Sequence, residues 1–239
     1  MILNRLKYFV KSKLNNSLVT KAKLLADLFL SYRKECYSQY GEDQFLREYF
    51  KDKSSGFYVD VGAFHPRQFS NTYNLYKRGW RGVNIDATLH SMKLFGVFRP
   101  EDINLQTAVS IDGREIVFSS WGLNSENTCV PAQAEGVAKQ FDKSPTQTRM
   151  KSQRLVDIFQ QHLNKDQTID LLSVDVEGMD LEVLKSNDWV KYAPELVMVE
   201  TFANSIEDVQ KEEVYSYLVG LGYSMVSWYY RTLVFKKCR

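Results

Sequence analysis

An α/β three-layer sandwich is the fold class predicted by three observations. Short apolar runs alternate with segments of helical spacing along most of the chain. The run at 57–61 passes into a turn of small residues, Gly62 and Ala63. The chain closes on two strand-like segments joined by a tight turn.

Taken in order, Phe45, Leu46, Tyr49 and Phe50 recur at helical spacing and predict a helix leading into the first strand, 57–61. Ser70 caps a helix over 71–78 that Gly79 stops. A second strand covers 82–86, and a short helical stretch ends before Pro100. The third strand is 103–109, with an added strand at 115–119 beyond the hairpin-type turn Asp112-Gly113. Residues 120–146 lose periodicity and predict a long functional loop. A helix at 155–163, a deeply apolar strand at 169–175 and a helix at 179–186 follow. Then come a strand at 196–200, a helix over 207–221, and the closing strands 223–228 and 232–236.

With 239 residues, 44% hydrophobic and 25% charged, the chain can bury a sizeable core in one domain. The net charge of +2 hides an asymmetry. Residues 1–37 carry eight Lys or Arg against Asp27 and Glu35, so the remainder is net negative. The apolar residues of 1–36 fit a basic amphipathic helical extension that meets a membrane surface or a partner, or packs on the domain or another subunit. The rest, 37–239, is the expected catalytic domain. Basic residues without a reading module argue against nucleic acid. Cys36, Cys129 and Cys238 form no disulfide framework or zinc signature. No apolar run reaches the length of a spanning helix and no signal-peptide pattern is seen, so the expected location is cytoplasmic, with peripheral membrane contact through the arm.

Asp60, Asp86, Asp175 and Glu200 each end a predicted strand, and parallel strands gather their C-terminal ends on one rim. A dinucleotide site needs Gly-x-Gly-x-x-Gly, whereas this turn holds one glycine and continues Ala-Phe-His-Pro, which disfavours a nicotinamide-dependent oxidoreductase. A cofactor with a sulfonium and an amino acid end, S-adenosylmethionine, suits the turn better. Asp86 then takes the ribose hydroxyls, Asp60 and Gly62 (with Ala63) line the methionine side, and Ala108 and Val109 pack near the adenine.

These residues resemble the FkbM family of S-adenosylmethionine-dependent methyltransferases. The resemblance rests on Ser38-Gln-Tyr-Gly-Glu-Asp43, Asp60-Val-Gly-Ala-Phe-His-Pro66, Ser70-Asn-Thr72, Gly79-Trp-Arg-Gly-Val-Asn-Ile-Asp86, Ala108-Val-Ser110 and Ser173-Val-Asp-Val-Glu-Gly-Met-Asp-Leu-Glu-Val-Leu184. It implies a Rossmann-like class I methyltransferase sandwich, with a seven-stranded, mostly parallel sheet and a C-terminal antiparallel hairpin. It also implies O-methylation, often of sugar hydroxyls in polysaccharides or of hydroxyls in natural products. Phe64 stands where many relatives carry a second histidine, a difference that bears on substrate fit.

His65 is one candidate general base, the alternative being a histidine that orders the turn through backbone hydrogen bonds. Asp175 and Glu177 are the second candidates, two apart and facing one side if the segment is extended. With Glu200 they are also able to hold a divalent metal, although we favour a direct role for Asp175. Glu177 capping the next helix is the alternative for that residue. Glu42 is placed over the cofactor, and Asn71 and Thr72 either bind its carboxylate or simply cap a helix. Trp121, Asn124 and Asn127, in the aperiodic loop, and Glu200 are the expected substrate contacts. The acceptor is a glycan or another hydroxyl-bearing small molecule. The alternative function is a non-catalytic module of the same fold that docks on a membrane-associated glycan assembly.

Overall fold

The computed structural model describes residues 35–122 and 124–238. The basic extension expected over 1–36 therefore lies almost wholly outside the described residues. Among those residues, no helix is long and apolar enough to cross a membrane.

A seven-stranded sheet carries the domain. It comprises β1 (Phe57–Val61), β2 (Arg81–Asp86), β3 (Ile103–Gln106), β6 (Leu171–Val174), β7 (Leu196–Glu200), β8 (Tyr223–Tyr229) and β9 (Thr232–Lys237), in the order β3-β2-β1-β6-β7-β9-β8. The first five strands in that order run parallel, and β9 enters antiparallel between β7 and β8. This matches the expected α/β sheet with its closing hairpin.

Because successive strand residues face opposite sides, each central strand feeds two cores. Val59, Val61, Leu172, Val174, Val197 and Val199 pack against Leu155, Ile158 and Phe159 of α5 (Leu155–His162), Val183 and Leu184 of α6 (Asp180–Lys185) and Leu218 of α8 (Glu213–Gly220). Tyr58, Leu171, Leu196 and Met198 face the other way, onto Leu46 of α1 (Glu42–Tyr49), Leu75 of α2 (Tyr73–Lys77), Phe50 and Trp80. Asp60, Ser173 and Glu200 share the parity of this second set, so the polar strand-end residues fall on the side of α1 and α2.

Four expectations are corrected. The strand expected over 103–109 stops at Gln106, beyond which Val109 makes one isolated bridge to Gln153. The Asp112-Gly113 turn does not fold 115–119 back on β3. Instead β4 (Glu115–Ser120) pairs antiparallel with β5 (Thr146–Lys151), because Ser110 and Ser152 hydrogen-bond across the base of that ribbon at 2.7 Å. The supposed loop 120–146 contains α4 (Pro131–Phe141), which starts with a proline at its first turn and buries only Ala134. The helix expected over 207–221 is two, α7 (Ile206–Val209) and α8.

Beneath the sheet's C-terminal rim lies Arg99, fully buried at the end of α3 (Leu89–Phe98). Its guanidinium donates to the Pro66 carbonyl, to Ser70 Oγ at 2.7 Å and to Thr72 Oγ1 at 2.8 Å, and it lies over the rings of Phe95, Tyr73 and Tyr76. The Thr72 hydroxyl in turn donates to Asp60 Oδ2 at 2.7 Å. Asn84 and Tyr58 donate to Asp102, which closes the network. Burial raises the Asp60 and Asp102 carboxyls, and the charge of Arg99 pulls both back down. Removing one member of such a network strands the others. Arg99→Met is expected to destabilise the domain by about 3–5 kcal/mol, measured by urea unfolding, whereas Lys51→Met on the exposed surface should change stability little.

Candidate active site

The turn after β1 sets the site. Gly62 has φ +81, and a Cβ there would fall 1.7 Å from the Asp175 carbonyl oxygen, so the ends of β1 and β6 meet through bare backbone. Gly62 and Ala63 both donate their N–H to the Ile85 carbonyl at 2.9 and 3.1 Å, which draws the turn over the end of β2. Phe64, at φ 51, gives its N–H to Asp86 Oδ2 at 2.9 Å, while the Thr88 N–H bonds Asp86 Oδ1 at 2.6 Å. Burial pushes the Asp86 carboxyl up, and these two N–H donors oppose that shift.

Two cavities open at this rim. A narrow slot is lined by Gly62, Phe64, Asp86, Thr88, Ala108, Val109, Asn124, Asn127 and Cys129, with Asp175 and Glu177 at one end. A wider cavity of about 480 Å³ continues from it past Glu42, Asn71, Glu126, Glu200, Phe202, Arg231 and Thr232, under Gln133, Gly136, Val137 and Gln140 of α4. Gly62, Phe64, Ser125, Asp175 and Glu177 line both.

The junction is acidic. Asp175, Glu177 and Glu200 each present a carboxylate oxygen, and the three oxygens lie within 4.8 Å of one another. Glu177 gets there through a left-handed backbone (φ 52), not along an extended strand as expected, since β6 ends at Val174. Asp180 holds that turn by accepting the Val176 and Gly178 N–H groups at 3.3 Å, and Thr128 Oγ1 donates to the Glu177 carbonyl at 3.0 Å. The capping considered for Glu177 is not seen: α6 has Met179 at its N-cap and no side-chain cap hydrogen bond. Desolvation, then the charges of Asp180 and Glu126, push the Glu177 carboxyl to about 7. Asp175 and Glu200 are raised further, first by desolvation and then by the neighbouring acids. Such a set holds protons at neutral pH and can accept or share one with a bound hydroxyl.

The profile of the Methyltransferase FkbM domain matches residues 60–225. This chain belongs to the FkbM methyltransferase family. No curated protein matches the chain. Within this FkbM methyltransferase the matched span contains all the slot residues, Glu177 and Glu200, and it excludes Glu42, Arg231 and Thr232.

The FkbM domain brings together most, though not all, of the residues singled out from sequence. Asp86, Gly62, Ala108 and Val109 line the slot, while Glu42 and Asn71 line the wider cavity instead. Glu42 accepts from the Tyr40 N–H at 2.8 Å and from Thr232 Oγ1 at 3.0 Å. Asp60, Ala63 and Thr72 line neither cavity and are buried beneath the rim. Asp60 and Thr72 are engaged by the Arg99 network, and Ala63 packs with Met92 and Phe95. His65 also lines neither cavity. Its Nδ1 accepts the Arg67 and Gln68 N–H groups at 3.1 and 2.9 Å, which is the turn-ordering role and leaves no lone pair on that atom for a base.

Asn124 and Asn127, expected as substrate contacts, line the slot, where Asn127 is tied to Thr88 and to the Gly122 carbonyl. Trp121 lines neither; its Nε1 donates to the Lys143 carbonyl at 2.8 Å and fastens the end of α4. Sequence reasoning missed Phe202 and Arg231. The register Glu200↔Thr232 places the β8–β9 turn over the end of β7, and only a hairpin docked antiparallel on β7 would have revealed it. Gly62→Ala is expected to cost more than the ~1–2 kcal/mol of a left-handed non-glycine residue, because the Cβ also displaces β6. A fall in the melting temperature and loss of ligand binding would register this.

Proposed function

We propose that this chain is an S-adenosylmethionine-dependent O-methyltransferase whose acceptor is a sugar hydroxyl on a glycan or a glycan precursor. The observation that carries this reading is the junction: a slot with an acid at the end of β2 opens, through five shared lining residues, into a second cavity ringed by carboxylates. When bound, S-adenosylmethionine supplies an electrophilic methyl group. Asp86 suits the ribose hydroxyls, Ala108 and Val109 suit the adenine face, and Glu42 and Asn71 suit the amino acid end.

The chain's own residues then have three tasks. Methyl transfer is an in-line displacement, so positioning the acceptor oxygen dominates the rate. Asp175 and Glu200, both held above their usual range, orient the acceptor hydroxyl by hydrogen bonds. The Glu177 carboxylate takes the hydroxyl proton, since its value of about 7 lies near working pH. Around the mouth, Tyr40, Phe69 and Phe202 are exposed aromatic rings, and Gln39, Asn71, Gln133 and Gln140 offer amides. Rings that accept C–H faces, mixed with two-way hydrogen-bonding amides, suit a polyhydroxylated ligand.

Isothermal titration tests the cofactor. The wild type should bind S-adenosylmethionine and Asp86→Ala should bind it at least about tenfold more weakly; a wild type that releases no heat with this ligand ends the proposal. The acceptor is read by mass spectrometry, as one methyl group gained on glycans from cells that hold the protein and absent from cells that lack it.

A base must be unprotonated, so kcat/KM should climb with pH up to about 7 and level off above it. Glu177→Gln should lower kcat by about 10²–10⁴-fold and flatten that climb. The three oxygens within 4.8 Å favour a second reading, in which Asp175, Glu177 and Glu200 hold a divalent cation that lowers the acceptor's pKa. Chelation by EDTA separates the two: full activity after chelation supports the direct base, and activity restored only by added Mg²⁺ or Mn²⁺ supports the cation.

A further inference from the structure

We propose that Arg231 is an anion-binding residue of the wider cavity, holding a carboxylate or phosphate group of whatever ligand fills it. This goes beyond methyl transfer and rests on the proposed function only for where the ligand sits. Among the described residues that line the cavity, Arg231 is the single cationic side chain, set against Glu42, Glu126, Asp175, Glu177 and Glu200. With acids on the same walls, a guanidinium would be expected to pair with one of them. It does not. Among the described residues no hydrogen bond or ion pair engages its side chain, which lies over the rings of Tyr230 at 4.7 Å and Phe202 at 5.4 Å.

Aromatic contact uses the faces of a guanidinium and leaves its in-plane N–H donors free, the geometry that receives a carboxylate or phosphate in a bidentate pair. The backbone is committed to this pose. Tyr230 takes φ 39 in the two-residue turn, and the Arg231 carbonyl accepts the Thr201 N–H at 2.8 Å, pinning the turn to the end of β7. Both rings are more than half exposed, at 53% and 58%, and Tyr230 packs edge-on against Tyr40 of the same cavity, which holds the guanidinium at the cavity wall.

Two sources carry this chemistry, the amino acid carboxylate of the cofactor and an acidic group on the acceptor. The experiment uses the full chain as wild type, Arg231→Gln and Arg231→Lys, with melting curves to confirm that each folds. In the first arm, S-adenosylmethionine and its decarboxylated analogue are titrated into each protein. If the cofactor carboxylate is the ligand, wild type prefers the intact cofactor by about tenfold or more. Arg231→Gln loses that preference, and Arg231→Lys keeps part of it. In the second arm, inorganic phosphate is titrated into the proteins with and without cofactor. Binding by wild type that disappears in Arg231→Gln, with cofactor affinity unchanged, assigns the anion to the acceptor. If Arg231→Gln matches wild type in both arms, the proposal is overturned. A wild type that fails to bind S-adenosylmethionine sinks the proposed function alone, because the phosphate arm on the unliganded protein still decides Arg231.

Discussion

The site depends on one buried cation. Arg99 has no access to solvent, and its donors run to the Pro66 carbonyl, Ser70 and Thr72, the residues that carry the chain from the Gly62 turn into α2. An ionised guanidinium in an apolar interior is tolerated only when its hydrogen bonds and counter-charges are in place. Asp60 and Asp102 supply the opposing charge from β1 and from the loop before β3, so β1, the loop into α2 and the segment after α3 are drawn to one point. The rim of the sheet is rigid there for electrostatic reasons as much as for packing. Asp86 and the strained Phe64 peptide are built on top of that fixed floor.

The upper surface follows the opposite rule. Glu42, Glu126, Asp175, Glu177 and Glu200 line one cavity with a single arginine among the described residues, and burial, then repulsion between neighbouring acids, raises the carboxyls of Asp175, Glu177 and Glu200. A protein that needed only stability would not keep this arrangement, because each raised carboxyl subtracts from folding at neutral pH. Polar groups held with unfavourable charge, beside backbone in the left-handed region at Phe64, Phe69, Glu177 and Tyr230, mark where folding free energy has been given up for chemistry.

Much of the scaffold was legible. The alternation of apolar runs with helical spacing located the central strands, and the single-glycine turn with its four strand-end acids pointed to the rim where the two cavities open. What escaped was decided by tertiary partners. Asp60 looked like a strand-tip ligand residue, yet a buried arginine 39 positions away in the sequence claims its hydroxyl partner, and nothing near Arg99 signals burial. The α4 helix was invisible because it covers a cavity and buries one alanine, so it lacks the apolar stripe that betrays a core helix. The β4–β5 pairing spans a long intervening segment, and local turn chemistry at Asp112-Gly113 argued for a nearer partner. The histidine after the Gly62 turn had two readings, and only the positions of the Arg67 and Gln68 amides separate them.

The insertion of β9 between β7 and β8 has a consequence for biosynthesis. The wall that carries Arg231 and Thr232 belongs to the last segment of the sheet to be made, and it docks on β7 only after that segment has cleared the ribosome. A nascent chain that has already assembled its parallel strands therefore holds a cleft with one side missing. The wider cavity is complete only once that hairpin is in place, whereas the narrow slot is lined wholly by earlier residues.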